Sequence, residues 1–387
     1  MTPRPAPRTW TNRVGIAARL LDAVLALPVQ IESITTSQLL LPGGMNRCST
    51  LVELHGAGHV GRGEDITYAA PTQELLPRVL ERRTDLIGSW TIGSLAAHLD
   101  ETGITIPGAE LMDDKPGYHR WPIESAALDL ALRQAGLDLA GLIDVPWEPL
   151  TVSLSMGLGE QPSVDIVRRW LDRDPSITFK IDTSMAWHPE LVTELGSFGD
   201  AVATIDFKAM YRGDWIDNDY PPSLYAVVGH ELPRALLEDA RLDADSHDAL
   251  DEHALGRLTW DYPITAPEDV PGLPGSTARF SDLLPYAINI KPSRFGSLER
   301  LLGTIALCDE HGIPCYSGGQ FELGWGRTQV QAITSLCFPD APNDCAPTMF
   351  HGASPEDENL PLGPVVVPAG GTGFGWDAPS PATPLEA

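Results

Sequence analysis

In the second half of the chain, short apolar runs end in polar residues at regular intervals. The runs are LTVSLSMG, ITFKID, VATIDFK, ALLED, RLTWD, AINIK and PCYSGG. Longer runs of helical character lie between them, including SVDIVRRWLDRD, HPELVTELGSF and LERLLGTIALCDEHG. This alternation predicts β-then-α units, hence a parallel sheet with right-handed crossovers. Seven or so units in about 200 residues suggest a closed (β/α) barrel. A doubly wound open sheet is the alternative.

The first half has another rhythm. From 31 to 68 it predicts antiparallel strands: ESITTSQLLL, a turn PGGMNRCS, TLVELHG, then HVGRGEDITY. Helical text follows at 72–83, 91–101 and 121–135. The last of these, WPIESAALDLALRQAG, is mostly apolar, as a buried helix should be. The expected organisation is therefore an α+β unit over 1–148, a barrel over 149–351 and a Pro/Gly-rich tail over 352–387. The Pro-rich residues 1–12 are expected to form a second tail.

Composition narrows the partners. The net charge is −27, from 26 basic and 53 acidic residues, which argues against a nucleic-acid backbone as ligand. The five cysteines form no CxxC pair, as in free thiols of a reducing compartment. Arg19 and Asp22 interrupt the apolar run GIAARLLDAVLALPV, against a signal peptide or membrane span. A cytoplasmic protein is expected, with no membrane or nucleic-acid partner, and a homo-oligomer.

The polar residues ending the strands carry the candidate chemistry. They are Lys180 and Asp182, Asp206 and Lys208, Glu238, Asp261, and Lys291. In a (β/α) barrel, chemistry sits at the C-terminal ends of the strands. The steps from Asp206 to Glu238 to Asp261 to Lys291 are 32, 23 and 30 residues, and a βα unit takes on the order of 30. The acids thus fall one per strand. Three carboxylates converging on one mouth repel each other unless a cation lies between them, and oxygen-only ligands favour Mg²⁺. For each acid alone, solvation or pairing with a neighbouring lysine is the competing reading.

Other signals count for less. GAGHVG (56–61) matches a dinucleotide-binding pattern, but strand-like text follows it instead of a helix. His55 and His59 stand in that same glycine-rich turn, where i, i+4 spacing does not converge on a metal. GGTGFG (370–375) lacks the Lys-Ser/Thr of a phosphate loop and reads as flexible tail. Glu322 is a candidate to touch substrate or orient Lys291, or else a buried structural acid. Arg294 and Arg327 are candidates for a substrate carboxylate, or else surface arginines.

Taken together, residues 31–350 resemble the enolase superfamily, in its muconate cycloisomerase / o-succinylbenzoate synthase-like branch. TLVELHGAGHVGRGEDITY resembles the capping-domain hairpin of that family, and IESAALDLALRQAG its helix leading into the barrel. AINIKPSRFGSLERLLGTIALCDEHGIPCYSGGQFELGWGR is the best match, resembling the sixth strand and the segment after the seventh. The resemblance implies an α/β fold: a modified (β/α)₇β TIM-type barrel under an N-terminal α+β cap. It implies Mg²⁺ ligands at Asp206, Glu238 and Asp261, and an acid/base at Lys291. Lys180 falls on the first lysine of the family's Lys-x-Lys motif. The PGGMNRC turn (42–48), with Arg47, resembles the loop that closes over the mouth and implies a contact with substrate.

Two positions depart from the family pattern. Asp182 stands where the motif has its second lysine, and Lys208 stands where the strand-three Asp-x-Asn pattern has its asparagine. Since i and i+2 of a strand face the same way, Lys208 is expected to point into the barrel beside Asp206. There it either supplies the cation lost at 182 or pairs with Asp182 or a ligand carboxylate.

The implied activity is Mg²⁺-dependent removal of a proton α to a carboxylate, on a small carboxylate-bearing substrate. Elimination or cycloisomerisation is favoured over racemisation, which needs a group on each face. The rivals are a Schiff-base enzyme using Lys291 or Lys208, and a catalytically silent barrel with a binding role.

Overall fold

A helix, α1 (Ile16–Ala26), is the first regular element and is followed by β1 (Pro28–Ile31) and the three-stranded antiparallel meander β2 (Ser33–Leu40), β3 (Cys48–Gly56) and β4 (His59–Asp65). Next come α2 (Ala70–Leu80), β5 (Gly88–Thr91), which pairs with β1, α3 (Ile92–Thr102) and the 20-residue α4 (Pro116–Ala135). The computed structural model describes residues 8–41, 47–106, 115–211, 218–241, 243–363, 365–366, 370–375 and 383–384. Most of the PGGMNRC turn, residues 42–46, lies outside them.

The glycines of GAGHVGRG have a packing role. Ala57 and Gly58 take φ of 49° and 77°, the left-handed turn that joins β3 to β4. Gly61 and Gly63 lie flush on α4: a Cβ at Gly61 would meet the Ala126 carbonyl oxygen at 2.1 Å, and one at Gly63 the Pro122 oxygen at 2.0 Å. The hairpin therefore packs backbone to backbone on a helix whose Ala126, Ala127, Leu130 and Ala131 are fully buried.

After a short β6 (Leu150–Thr151) the parallel units begin. They run β7 (Ser153–Gly157), α5 (Asp165–Arg173), β8 (Thr178–Asp182), α6 (Pro189–Gly196), β9 (Val202–Asp206), α7 (Pro222–Glu231) and β10 (Leu236–Glu238). Two short helices, α8 (Ala244–Ala249) and α9 (Glu252–Leu255), lead to β11 (Leu258–Trp260) and β12 (Ala287–Ile290). A four-residue α10 (Pro292–Phe295), α11 (Leu298–Glu310), β13 (Cys315–Ser317) and α12 (Trp325–Cys337) complete the series. The seven strands form one parallel sheet in chain order, β7 to β13.

Asn343 and Asp344 close that sheet. Asn343 bridges in parallel to Val152, at the entry of β7, and Asp344 to Gly318, at the exit of β13. The Ser153 amide donates to the Asn343 oxygen (2.7 Å) and the Asp344 amide to the Ser317 oxygen (2.8 Å). The eighth stave is thus two residues long, and the expected barrel, with the meander unit before it, is the observed fold.

Both expected tails are partly docked. Trp10 is buried, and its Nε1 donates to the Cys315 carbonyl at 2.6 Å. The Asn12 amide donates to the Ile313 oxygen (3.0 Å) and accepts from the Cys315 amide (2.7 Å). Asn12 thereby pairs the β13 backbone as a neighbouring strand would. Within GGTGFG, Phe374 is buried and its amide donates to Asp129 at 3.1 Å, so this stretch is anchored. No helix among the described residues is long and apolar enough to cross a membrane, and all five cysteines are free thiols.

Candidate active site

Asp206 ends β9, Glu238 ends β10, and Asp261 follows β11 directly. The register sets Glu238 opposite Asp206. Carboxylate oxygens of Asp206, Glu238 and Asp261 lie within 4.8 Å of one another, and all three side chains are buried. Asp206 and Glu238 end their strands at matched height, and Asp261 leans in from two residues beyond Thr259, the β11 partner of Glu238.

Ammonium groups cover these acids. Lys180 Nζ lies 2.5 Å from Glu238 Oε1 and 3.1 Å from Asp206 Oδ2. Lys208 Nζ lies 2.8 Å from the same Asp206 oxygen and 3.2 Å from Asp182 Oδ1. Lys291 Nζ lies 2.7 Å from Asp261 Oδ2, and Arg294 pairs with the other Asp261 oxygen. Lys208 and Lys291 stand on staves three positions apart in the sheet, so they flank the acids from different sides.

Lys208 reaches the site by a different route from strand alternation. β9 stops at Asp206, and Lys208 adopts φ of 51°, a left-handed turn. Its amide donates to Asp206 Oδ1 at 3.0 Å, which stabilises that turn and folds the side chain back over the same carboxylate. Lys208 therefore pairs with both Asp182 and a member of the acidic cluster.

Burial and neighbouring charge pull the protonation of the acids apart. Burial opposes ionisation of Asp206, yet Lys180, Lys208 and Lys291 hold it below its ordinary range. Asp261 is also held low, by Arg294 and Lys291 against burial. Glu238 is pushed up to about 8 by burial, against the pull of Lys180, with Asp206 and Asp261 adding to the rise. Asp239 is pushed up to about 7 by burial and by Asp261 and Asp206. Asp182, whose side chain keeps 30 % exposure at the cavity wall, is raised by burial against the pull of Lys208. Counted with Asp182, Asp239 and Asp344, the acids here are six against the four cations Lys180, Lys208, Lys291 and Arg294. Hard oxygen donors with that shortage fit a divalent cation.

The remaining candidates have definite partners. Glu322 Oε1 accepts from the Gln320 amide (2.8 Å) and Oε2 lies 3.0 Å from Arg327 Nη2, so Glu322 braces the loop and Arg327. Arg294 is engaged with Asp261 and lies 3.4 Å from the Tyr211 hydroxyl. The Arg47 guanidinium donates to the carbonyls of Ile66 (2.5 Å), Thr67 (2.9 Å) and Gln320 (3.3 Å) and stacks over Tyr68 at 4.3 Å. Arg47 thus ties the meander unit to the barrel at the cavity edge.

Several site residues are not among the candidates read from the sequence. Asp344, on the closing stave, lies 3.6 Å from Lys180 Nζ. Asn289 and Tyr316 both donate to Glu238, at 3.1 and 2.5 Å. Asp239 accepts from the backbone amides of Asp261 (2.8 Å) and Tyr262 (2.9 Å), locking adjacent strand tips. The i, i+2 relation to Lys291 would have found Asn289. Close packing also dictates two glycines: a Cβ at Gly318 would meet Lys291 Cε at 2.4 Å, and one at Gly319 would meet Arg327 Nη1 at 2.3 Å.

Over this cluster opens a cavity of ≈ 960 Å³. Lys180, Lys208, Lys291, Asp182 and Asp344 line it, while the three clustered acids lie beneath the lysines. One sector is phenolic: Tyr211 and Tyr262 stack at 3.9 Å, and Lys115 Nζ sits over the Tyr262 ring at 3.9 Å. Another sector is mainly apolar and comes from β7, α5 and residues 346–353.

Comparison with known proteins places this geometry. Residues 22–142 and 146–352 match the models of the N-terminal and C-terminal domains of a domain of unknown function, DUF8230. An o-succinylbenzoate synthase of Geobacillus stearothermophilus is 25% identical over 302 residues, 76% of this chain and 76% of that protein. A muconate cycloisomerase structure from Pseudomonas fluorescens superposes with a TM-score of 0.65 at 18% identity, covering 90% of this chain and 96% of that one. A dipeptide epimerase structure from Enterococcus faecalis gives a TM-score of 0.66 at 16% identity, covering 89% and 99%.

Proposed function

The chain belongs to the DUF8230 family and is a divergent enzyme of the enolase superfamily, and we propose that it removes a proton α to the carboxylate of a small substrate, leading to elimination or cycloisomerisation. The observation that carries this reading is Lys291 Nζ on the cavity floor, 2.7 Å from Asp261 at the edge of the buried acidic cluster.

Asp206, Glu238 and Asp261 would hold a divalent cation, with Mg²⁺ the choice that suits three hard oxygen donors. When bound, it supplies electrostatic stabilisation of the negative charge that develops on the substrate carboxylate. The protein does the rest. The neutral form of Lys291 accepts the α-proton at Nζ: the C–H bond breaks, an N–H bond forms, and the electron pair moves into the carboxylate. In an elimination that pair returns to form the C=C bond as the β-substituent leaves, and Lys291 returns its proton to the leaving group. In a cycloisomerisation run toward ring opening, the leaving group stays attached. Gly318 lets Lys291 sit this low, and the 2.7 Å bond to Asp261 fixes its Nζ.

Lys208 and Asp182 face the cavity from another side. A single acid/base on one face suffices for a syn reaction, so these two serve charge and position in this reading.

The test is solvent exchange. With Mg²⁺ in D₂O, α-substituted carboxylates bearing a β-leaving group should incorporate deuterium or eliminate, and Lys291→Ala should do neither. A borohydride-trapped adduct at Lys291 would instead make this a Schiff-base enzyme.

A further inference from the structure

The apolar sector of the cavity has a distinct construction. Leu154 and Met156 come from β7, Ile166 and Trp170 from α5, and Phe350 and Ala353 from the segment after the closing stave. Phe350 stacks toward Trp170 at 6.3 Å between ring centroids. That segment has little regular structure of its own: apart from a three-residue 3-10 turn at Thr348–Phe350, it is loop. Side chains of α5 hold the residues just beyond it. Arg173, at the C-terminal end of α5, donates to the carbonyls of Pro355 (2.7 Å), Asp357 (2.6 Å) and Leu360 (3.0 Å). Arg169, one turn earlier, pairs with Glu356 at 2.7 Å on the surface. A guanidinium gathering three carbonyls fixes loop backbone as a strand neighbour would.

We propose that residues 346–353 form the outer wall of a substrate lobe that takes an apolar, ring-sized substituent of the carboxylate substrate, and that Arg173 is the positioning residue holding this wall closed. This rests on the reading of the lysine floor as the carboxylate end. The cavity then has an anion-attracting floor at Lys180, Lys208 and Lys291 and a water-excluding wall that rises beside Lys180 from the neighbouring β7 and from α5. A dicarboxylate would leave a charge against Met156, Ile166 and Phe350 with no cation among those side chains, which is costly. An aryl or branched alkyl group would bury its surface there instead.

The probes are 4-phenylbutyrate and butyrate, which share the α-methylene carboxylate and differ only in the ring. Binding is measured by calorimetry on the full chain with Mg²⁺. Phenylbutyrate should bind about tenfold tighter than butyrate, as expected for partial burial of a ring. Phe350→Asp should bring that ratio close to one. Arg173→Ala should weaken phenylbutyrate severalfold and leave butyrate unchanged, with Arg173→Lys recovering part of the loss. Equal affinities, no binding of either probe, or a ratio that survives Phe350→Asp overturns the lobe. Equal weakening of both probes by Arg173→Ala reduces Arg173 to a fold-stabilising residue and overturns its positioning role. Deuterium exchange at the α-carbon of the same probes separates the two ideas: preference without exchange counts against the catalytic reading, and exchange without preference counts against the lobe.

Discussion

Lys291 and Asp261 share a 2.7 Å hydrogen bond, so the proposed base and a proposed metal ligand are coupled before any substrate arrives. A positioned general base contributes about 10²–10⁴-fold. Lys291→Ala should therefore lower α-proton exchange by about 10³-fold. Mn²⁺ binding, followed by electron paramagnetic resonance, should persist. Loss of metal binding together with activity would show that Lys291 organises the acids instead.

The Lys208–Asp182 pair decides the stereochemical course. Single enantiomers of α-substituted carboxylates, incubated with enzyme and Mg²⁺ in D₂O, should not invert. Inversion with deuterium incorporation, lost in Asp182→Asn but kept in Lys208→Met, would make Asp182 a second acid/base and the enzyme a racemase.

Metal binding is expected to depend on each acid of the cluster. Asp206→Asn and Glu238→Gln should each weaken Mn²⁺ binding by at least about tenfold, because each removes a charged oxygen donor. Mg²⁺ added to chelator-treated protein should raise Tm in proportion to the logarithm of its concentration. A Tm that ignores Mg²⁺ up to millimolar levels would mean the lysines alone compensate these acids.

Gly318 tests how tightly Lys291 is placed. A methyl there would meet Lys291 Cε at 2.4 Å and Asn289 Oδ1 at 2.5 Å. Asn289 is held by Glu238, so it has little room to yield. Gly318→Ala should cost about 1–3 kcal/mol in chemical denaturation and lower exchange activity more than that loss of folded protein explains.

His351 gives a pH signature away from the acidic cluster. It stacks on Phe321 at 4.2 Å and bonds the Glu322 carbonyl at 2.9 Å. Burial, with Arg327 and Arg47 nearby, lowers its pKa from 6.5 to about 3. The unfolded chain therefore binds a proton there that the folded chain refuses. The stability this provides is present above pH 6.5 and is lost as pH falls toward 3. In the difference between wild type and His351→Gln, the slope should approach but not exceed about 1.4 kcal/mol per pH unit. A flat difference would mean His351 takes up its proton over the same pH range in the folded and the unfolded chain.

The barrel was legible because each strand tip breaks an apolar run with a polar residue, as at Asp206, Glu238 and Lys291. Other parts left no such mark. α12 has an apolar stripe of Val330, Ile333 and Leu336, but its polar side, with Gln329, Gln331, Thr334 and Ser335, is buried as well, and polar text gives no sign of that. The stave at Asn343–Asp344 is too short for a period of two to register. Lys208 enters the site through a left-handed backbone that pleat alternation does not describe. Glu64 gave no hint of its place: its carboxylate accepts from the amides of Leu323, Gly324 and Gly326 at 2.6, 2.9 and 2.9 Å, at the start of α12.

Trp10 and Asn12 bond to β13 across 305 and 303 residues of sequence. On a ribosome adding 5–20 residues per second, that separation is roughly 15–60 s of synthesis. Trp10 and Asn12 are made long before the strand they cover, so the N-terminal arm is a late fastening. A chain folding during synthesis must keep this arm unpaired until β13 emerges, and a bulky group fused close before Trp10 should delay the final closure without altering the finished active site.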